Sequence, residues 1–212
     1  MQYLDFSSLN QLQFLNLTKM SLVVFPIFPS SLQKLVMISC SSCDFDSTAS
    51  QANIVNNNLT NLTKLFLGGH PYSLKTDHLQ MLLEPNKGNL EELDVEGCYG
   101  LGTAGLISLG KSGYLKKIVS LNLGQEDFVD RCLESLVEHV PRLRKMALVN
   151  AGITGVGVKA AVQKPQDKLE HLVLRNCSQV SPDAVEYARA RGVKVHCYFP
   201  DATSKGKRVR LD

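Results

Sequence analysis

The sequence lacks the apolar runs and terminal signals that direct a protein into or across a membrane. Its 212 residues contain no apolar stretch as long as a membrane-spanning helix, which needs about 20 residues. The N-terminal sequence MQYLDFSSLNQLQ has no basic region followed by an apolar one, the pattern of a secretory signal peptide. The sequence therefore predicts a protein of the cytoplasm, the nucleus or both, with no membrane contact.

The sequence also has little excess charge outside its C-terminus. The chain carries 23 basic and 20 acidic side chains, and residues 201–212 hold four of the basic and two of the acidic ones. Setting these aside leaves 19 basic and 18 acidic side chains. Because nucleic acids bind to clustered basic surfaces, this balance does not favour a nucleic-acid-binding function.

Common catalytic and nucleotide-binding signatures are missing. The sequence has no H-E-x-x-H metalloprotease pattern, no Walker A pattern and no G-x-S-x-G nucleophile pattern. Cys40 and Cys43 form a C-x-x-C, but neither a second pair at the spacing of a zinc site nor a thioredoxin-like strand and helix follows it. We therefore expect no catalysis, no metal and no cofactor.

What the sequence does contain is one recurring apolar pattern. Leucine, two residues, leucine, one residue and leucine recurs seven times, with other apolar residues at some of these positions. The seven copies begin at Leu12, Leu32, Leu62, Leu90, Ile118, Leu143 and Leu169. Their spacings are 20, 30, 28, 28, 25 and 26 residues, a range typical of stacked repeats that bury their apolar faces against one another.

Each repeat is predicted to begin with a short strand and to continue with a helix. In the fourth repeat, alternation places Leu93 and Val95 on one face of a strand and Asp94 on the other. In the seventh, Ser181 as N-cap and Pro182 at the first helical position mark the start of a helix. The pattern predicts a curved α/β solenoid of about seven repeats, with parallel strands on the concave face and helices on the convex face.

Three cysteines stand at the same place in their repeats. Cys40, Cys98 and Cys177 lie five residues after the second leucine of the pattern, so we expect buried free thiols rather than disulfides. The run LxxLxLxxC followed by a helix, and the closing stretch CSQVSPDAVEYARARGVKV, resemble the cysteine-containing class of leucine-rich repeats. This class is known from F-box proteins and is related to the ribonuclease-inhibitor-like repeats. Other residues stand at this place in the remaining repeats: Met20, His70, Glu126 and Ala151.

The resemblance implies a leucine-rich-repeat solenoid, or horseshoe, over residues 12–199. Residues 1–11 are expected to form an N-terminal edge segment, and residues 200–212 a basic flexible tail. Residues from about 41 to 58 are rich in serine and asparagine and have almost no helical periodicity. A flexible excursion is therefore expected in the second repeat, either as a tolerated loop or as a loop that binds a partner.

The outward-pointing strand positions define the surface on which a protein partner is expected. Val36, Ile38 and Phe66 form an apolar patch edged by lysines, and the fourth strand presents only carboxylates. This combination favours a peptide with a hydrophobic anchor and a Lys or Arg, and the alternative is that the carboxylates are only solvated. The predicted contact residues are Val36, Ile38, Lys64, Phe66, Glu92, Asp94, Glu96, Asn122, Lys145, His171 and Arg175.

The resemblance implies the substrate-recognition region of an F-box-type ubiquitin-ligase receptor, which binds a ubiquitylation substrate on its concave face. An F-box that docks Skp1, and through it a cullin, is expected upstream of such repeats, and the residues before Leu12 do not form one. One alternative is a free-standing leucine-rich-repeat scaffold or regulator unrelated to ubiquitin. A Ran-type GTPase-activating module is less favoured, because no catalytic arginine loop can be identified.

The C-terminal tail contains a candidate nuclear-import signal. Lys207, Arg208 and Arg210 give a K-R-x-R arrangement, and KRVRLD resembles the monopartite import signal of the Myc type. An exposed basic terminus is what the groove of an importin binds. The alternative is a basic tail that only improves solubility.

Overall fold

Eight short parallel strands form one continuous sheet in the computed structural model, which describes residues 4–40, 42–70, 72–164 and 168–198. The strands pair in chain order, so each repeat adds its strand beside that of the preceding repeat. They are β1 Phe14–Asn16, β2 Lys34–Val36, β3 Lys64–Phe66, β4 Glu92–Asp94, β5 Ser120–Leu123, β6 Lys145–Val149, β7 His171–Arg175 and β8 Lys194–Tyr198.

Six α-helices in the described residues alternate with these strands, and each packs against the next in chain order. They are α1 Thr48–Asn56, α2 Thr76–Leu83, α3 Gly102–Lys111, α4 Asp130–Val137, α5 Gly155–Gln163 and α6 Pro182–Arg189. A helix is about 10 Å wide and neighbouring strands are about 4.8 Å apart, so the stack bends with its strands inside. The predicted leucine-rich-repeat solenoid, with concave strands and convex helices, is confirmed.

The repeated leucines form the core of the solenoid. The residues that open six of the seven patterns are fully buried: Leu32, Leu62, Leu90, Ile118, Leu143 and Leu169. Each such side chain stabilises the fold by about 1.5–3 kcal/mol relative to its exposed state. Leu12, which opens the first pattern, is only partly buried because it lies in the first repeat of the stack.

The segment at about 41–58 contains α1, so the expected irregular excursion is wrong for residues 48–56. The side chains that α1 buries are Ser50, Asn53 and Ile54, two of which are polar. Helical periodicity in a sequence is normally recognised from apolar residues. A helix that packs through polar side chains therefore gives almost no such signal.

The polar side chains of α1 bind backbone groups of the first repeat. The hydroxyl of Ser50 accepts a hydrogen bond from the Phe25 N–H at 2.9 Å, and the Nδ2 of Asn53 donates to the Phe25 carbonyl at 2.7 Å. Just after the helix, the Oδ1 of Asn57 accepts from the Phe28 N–H at 2.7 Å. The two prolines nearby prevent a helix in this part of the first repeat, so its buried backbone needs these partners.

The two ends of the chain differ in how much of them is described. At the N-terminal edge, Asp5 forms an isolated parallel bridge with Ile27, and the Phe6 ring stacks on that of Phe28 with centroids 6.1 Å apart. The predicted C-terminal tail, with the candidate import signal at Lys207, Arg208 and Arg210, lies outside the described residues.

Within the described ranges, no helix has the length and apolar composition needed to cross a bilayer.

Candidate protein-binding surface

The strand register arranges the outward-pointing side chains in three rows across the concave face. Because the strands are parallel and in register, equivalent positions of successive repeats lie side by side. The first row is Phe14, Lys34, Lys64, Glu92, Ser120, Lys145, His171 and Lys194. The middle row is Asn16, Val36, Phe66, Asp94, Asn122, Ala147, Val173 and His196. The third row includes Ile38, Gly68, Glu96, Gly124, Val149, Arg175 and Tyr198.

The first row is accessible along its whole length, whereas much of the middle row is not. Every first-row side chain is exposed or half-buried. In the middle row, the four consecutive strands β4 to β7 all present a buried residue: Asp94, Asn122, Ala147 and Val173. The concave curvature brings outward-pointing side chains of neighbouring strands together, so the central ones shield one another. A partner therefore meets mainly the first row and the two ends of the other rows.

An aromatic cluster with a central lysine lies at the N-terminal end of the concave face. The Nζ of Lys34 lies 5.1 Å from the centroid of the Phe14 ring and 5.4 Å from that of Phe66, within the range of cation–π interactions. Phe14 is 53% exposed, whereas Phe66 and Ile38 are half-buried and Val36 is 9% exposed. The predicted apolar patch is thus centred on the two phenylalanines, and Phe14, absent from the predicted contact residues, is its most exposed member.

Two carboxylates of the acidic strand β4 are engaged by near neighbours. The Nζ of Lys64 lies 2.7 Å from the Oε1 of Glu92 in an ion pair. The Oδ1 of Asp94 accepts a hydrogen bond from the backbone N–H of Glu96 at 3.0 Å, and Asp94 is only 8% exposed. A basic partner side chain would have to compete with these contacts, which does not favour the predicted Lys- or Arg-bearing peptide.

The third carboxylate, Glu96, forms an ion pair with Arg175 that crosses the concave face from β4 to β7. The Nδ2 of Asn122 also donates a hydrogen bond to Glu96, to Oε2 at 3.1 Å. The pair passes close to Gly124, which has no side chain. If residue 124 had a Cβ atom, that atom would lie 3.3 Å from the Cγ of Glu96 and 3.3 Å from the Cβ of Val149. With 18% and 12% of their side chains exposed, Arg175 and Glu96 fill the C-terminal half of the face.

Two lysines of the first row keep their charges available. Within the described residues, the ammonium groups of Lys145 and Lys194 make no ion pair or side-chain hydrogen bond. His171 lies between them in the row and is half-buried. The predicted contact residues Lys145 and His171 thus lie together on the accessible C-terminal part of the first row.

The cysteines that recur with the repeat donate hydrogen bonds to the preceding repeat. The thiols of Cys40, Cys98 and Cys177 lie 3.0, 3.2 and 3.4 Å from the carbonyl oxygens of Leu17, Leu67 and Leu148. All six cysteines are free and these three are buried. Burial raises the pKa of the Cys40 and Cys177 thiols, which keeps them protonated and able to donate. The predicted structural role of these thiols is confirmed.

In two repeats without the cysteine, another polar side chain binds a backbone carbonyl of the preceding repeat. A ring nitrogen of His70, Nε2, lies 2.7 Å from the carbonyl oxygen of Met37, the contact that cysteine makes elsewhere. In the fifth repeat Glu126 is exposed, and the buried neighbouring residue Gln125 donates to the Cys98 carbonyl at 3.0 Å. His70 thus makes the contact that cysteine makes elsewhere, whereas Gln125 binds a carbonyl three residues further along the preceding repeat.

A shallow cavity of about 520 Å³ lies beside the second and third repeats and is lined by residues that include Cys40, Cys43 and His70. Burial, with a smaller contribution from Cys40, raises the pKa of Cys43 to about 12. A thiol of this kind stays protonated at neutral pH, and only the thiolate binds metals or attacks disulfides. Among the described residues, no group of three or more His, Cys, Asp or Glu side chains is arranged to hold a metal ion.

The comparisons with known proteins identify a similar fold. No protein-family model matches the sequence, and no curated protein matches it. One chain of the crystal structure of the Rad7 and Elc1 complex in yeast has a similar fold, with a TM-score of 0.57 and 16% sequence identity. The similarity covers 80% of this chain and 43% of that chain, so this chain spans less than half the length of the matched one. At this identity, the similarity supports the leucine-rich-repeat-like fold alone.

Proposed function

We propose that this chain is a protein-interaction module that holds a segment of a partner protein on its concave face. The observation that carries the proposal is the cluster at the accessible end of this face in which the exposed Phe14 and the half-buried Phe66 flank Lys34. Aromatic side chains, Phe among them, are enriched in protein interfaces, and a few buried anchors of this kind carry most of the binding energy. In this proposal the chain binds its partner without catalysing a reaction and without a cofactor.

We further propose that the partner is a ubiquitylation substrate and that the chain is the recognition region of an F-box-type receptor. The cysteine-containing repeats support this, because they resemble those of F-box proteins. A chain of similar fold occurs in a complex of two proteins, Rad7 and Elc1. An F-box in the assembly would recruit Skp1 and a cullin, while the concave face selects the substrate.

The second candidate is a free-standing scaffold or regulator that acts in the nucleus. The sequence KRVRLD, with Lys207, Arg208 and Arg210, favours this alternative because it has the composition of an importin-binding signal. Both candidates place the partner on the same face, and they differ in whether Skp1 and a cullin belong to the assembly. The proposed location is the cytoplasm, the nucleus or both.

The experiment that tests the proposal is quantitative affinity purification of the tagged full chain from cells. We expect Phe14→Ala combined with Phe66→Ala to lower recovery of the specific partner about tenfold or more, since two interface anchors are removed. Tyr72→Ala is the matched control, because Tyr72 is 75% exposed and lies outside the three rows. Unchanged recovery with the double variant, whose fold is verified by circular dichroism, would contradict the proposal.

The same purification separates the two candidates. Co-purification of Skp1 and a cullin with the wild-type chain supports the ubiquitin-ligase receptor. A partner that depends on Phe14 and Phe66 but arrives without Skp1 or a cullin supports the scaffold.

A further inference from the structure

We propose that the partner segment bound by the concave face is acidic, and that it combines Asp or Glu side chains with one large apolar side chain. This inference rests on the proposed protein-binding function and specifies the chemistry of the partner. It follows from the charges that remain available on the accessible row after the contacts within the chain are formed.

The accessible first row is predominantly basic. It contains the four lysines Lys34, Lys64, Lys145 and Lys194 and one carboxylate, Glu92. From β2 to β8 the row crosses six strand spacings, about 29 Å at about 4.8 Å per spacing. An extended segment of about nine residues spans this distance at about 3.3 Å per residue. A single linear segment can therefore contact the row from one end to the other.

The carboxylates of β4 and of Glu96, two residues after it, do not offset this basic character, because each is engaged within the chain. Glu92 is paired with Lys64, Glu96 with Arg175, and Asp94 is buried against the backbone of Glu96. These contacts leave Lys34, Lys145 and Lys194 as the first-row cations without a carboxylate partner among the described residues. Basic segments are repelled by such a row and acidic ones are attracted.

Two carboxylates near the first row reduce its positive charge. Glu91 and Glu170 are exposed and lie one residue before β4 and β7. Glu170 forms an ion pair with Arg144 at 3.4 Å, so its charge is partly balanced. Glu91 is the acidic side chain that most directly opposes an acidic partner, and it lies beside the Lys64–Glu92 pair in the centre of the row.

The apolar anchor of the partner belongs at the N-terminal end of the face. Phe14 and Phe66 flank Lys34 there, and the half-buried Ile38 extends the apolar surface. At the C-terminal end, Arg175 and Glu96 occupy the third row, and the accessible groups are the cations Lys145 and Lys194 together with His196 and the 50% exposed Tyr198 at the last strand. The segment is thus oriented across the strands, with its anchor over β1 to β3 and its carboxylates over β6 to β8.

A polyanion such as RNA offers the same sign of charge, but the structure favours the acidic peptide. Sequence-tolerant binding of single strands uses open aromatic faces on which bases stack. Here the Phe14 and Phe66 rings already contact the Lys34 ammonium group, and the first row includes the carboxylate of Glu92. Binding of RNA in preference to an acidic peptide would overturn the proposal.

The experiment selects peptides from a random twelve-residue library displayed on phage, with the purified full chain as the bait. We expect enriched peptides to carry net negative charge and one Leu, Ile or aromatic residue. Fluorescence anisotropy with a synthesised enriched peptide should show an affinity about tenfold lower for Lys145→Glu/Lys194→Glu than for the wild type at low salt. Raising the salt concentration should weaken wild-type binding in the same assay.

The matched control is Lys111→Glu/Arg131→Glu, which changes the net charge equally at exposed positions of α3 and α4. This variant should bind the peptide as the wild type does. Neutral or basic enriched peptides that depend on Phe66 but not on Lys145 and Lys194 overturn the acidic-partner inference and leave the proposed function standing. Peptide binding that neither Phe66→Ala nor the lysine variant changes, or no enrichment, contradicts both. A labelled oligouridylate that binds more tightly than the peptide overturns the inference in favour of nucleic acid.

Discussion

The N-terminal and C-terminal repeats of this solenoid are joined by different interactions. Strands β1 to β4 have three residues each and β6 to β8 have five. In the N-terminal repeats, the side chains of Ser50, Asn53 and Asn57 bind the backbone of the first repeat. In the C-terminal repeats, helices such as α4 pack through apolar side chains, and the carboxylate of Asp130 adds hydrogen bonds to the start of α5.

An aromatic residue reinforces this difference. Phe45 is fully buried at the centre of the N-terminal repeats, with its ring 5.4 Å from that of Phe25, 5.5 Å from His70 and 5.7 Å from His78. Each repeat of a solenoid contacts mainly its neighbours. One stack can therefore combine repeats joined by polar side chains with repeats joined by apolar ones. The regular leucines position the strands, and the contacts between repeats are free to vary along the chain.

The largest expected effect comes from Phe45→Ala. This change removes the ring that packs against Phe25, His70 and His78 and so joins the first three repeats. We expect the free energy of unfolding to fall by about 3–5 kcal/mol, because a fully buried aromatic side chain leaves a cavity. Urea denaturation measures this loss. Amide hydrogen exchange should show that protection is lost first in residues 4–70.

Phe128→Ala is the matched variant in the fifth repeat, where Phe128 is 1% exposed. It should lower stability by a similar amount, with protection lost first among residues 118–164. If both variants instead lose protection uniformly along the chain, the N-terminal and C-terminal repeats unfold as one unit, and the proposed difference between them is wrong.

Asn57→Ala tests the polar part of the N-terminal junction. This change leaves the buried N–H of Phe28 and the buried carbonyl of Pro26 without the partner that Asn57 supplies. We expect a loss of about 2–4 kcal/mol in the free energy of unfolding, because buried polar groups without partners are costly. Chemical denaturation of Asn56→Ala gives the control, since the neighbouring Asn56 is exposed, and a comparable loss in both variants would refute the assignment.

The strands of both halves could be predicted from the sequence, whereas helix α1 and the polar contacts of the N-terminal repeats could not. The seven leucine patterns predicted the strands because burial of apolar side chains fixes which face of a strand turns inward. Ser181 and Pro182 correctly marked the start of α6, although the Ser181 side chain makes no capping hydrogen bond. Helix α1 was missed because its contacts with the first repeat are polar and depend on the prolines of another repeat.

The candidate surface was predictable in its strand positions but not in its contacts. The alternation of strand residues identified the accessible Lys64, Phe66 and Lys145. It could not show that Glu96 pairs with Arg175, because these residues are 79 positions apart and meet only through the curvature of the sheet. Sequence alternation also does not distinguish accessible outward positions from shielded ones such as Asn122.

Arg175→Met tests whether the ion pair across the C-terminal half matters for stability rather than for binding. We expect a loss of about 1–2 kcal/mol, because the Glu96 carboxylate is left largely buried without its cation. Affinity for the enriched peptide should change less than with Phe66→Ala. Lys164→Met removes an exposed pair with Glu138 and should have little effect. Equal effects of the two variants in urea denaturation would remove the distinction between this pair and an ordinary surface pair.

The smallest expected effect is a pH dependence that belongs to the N-terminal repeats. Burial lowers the pKa of His78, with the Asp46 carboxylate opposing this shift. The unfolded chain therefore binds the proton first, so the contribution of His78 to stability is complete above about pH 6.5 and declines as the pH falls below it. Urea midpoints between pH 5 and pH 8 should decline less on acidification in His78→Gln than in the wild type. Identical profiles would exclude His78 as the source.

The buried thiols have a practical consequence for following how the solenoid opens. Cys40 and Cys43 lie in the second repeat, Cys98 in the fourth, Cys132 in the fifth and Cys177 in the seventh, and all five are buried. Alkylating reagents react with thiolates that they can reach, so Cys98, Cys132 and Cys177 become reactive when their own repeats separate from their neighbours, whereas Cys40 and Cys43 line the shallow cavity and can react without such a separation. The chain thus carries natural reporters along its length, and the order of the labelling rates of Cys98, Cys132 and Cys177 gives the order in which their repeats come apart.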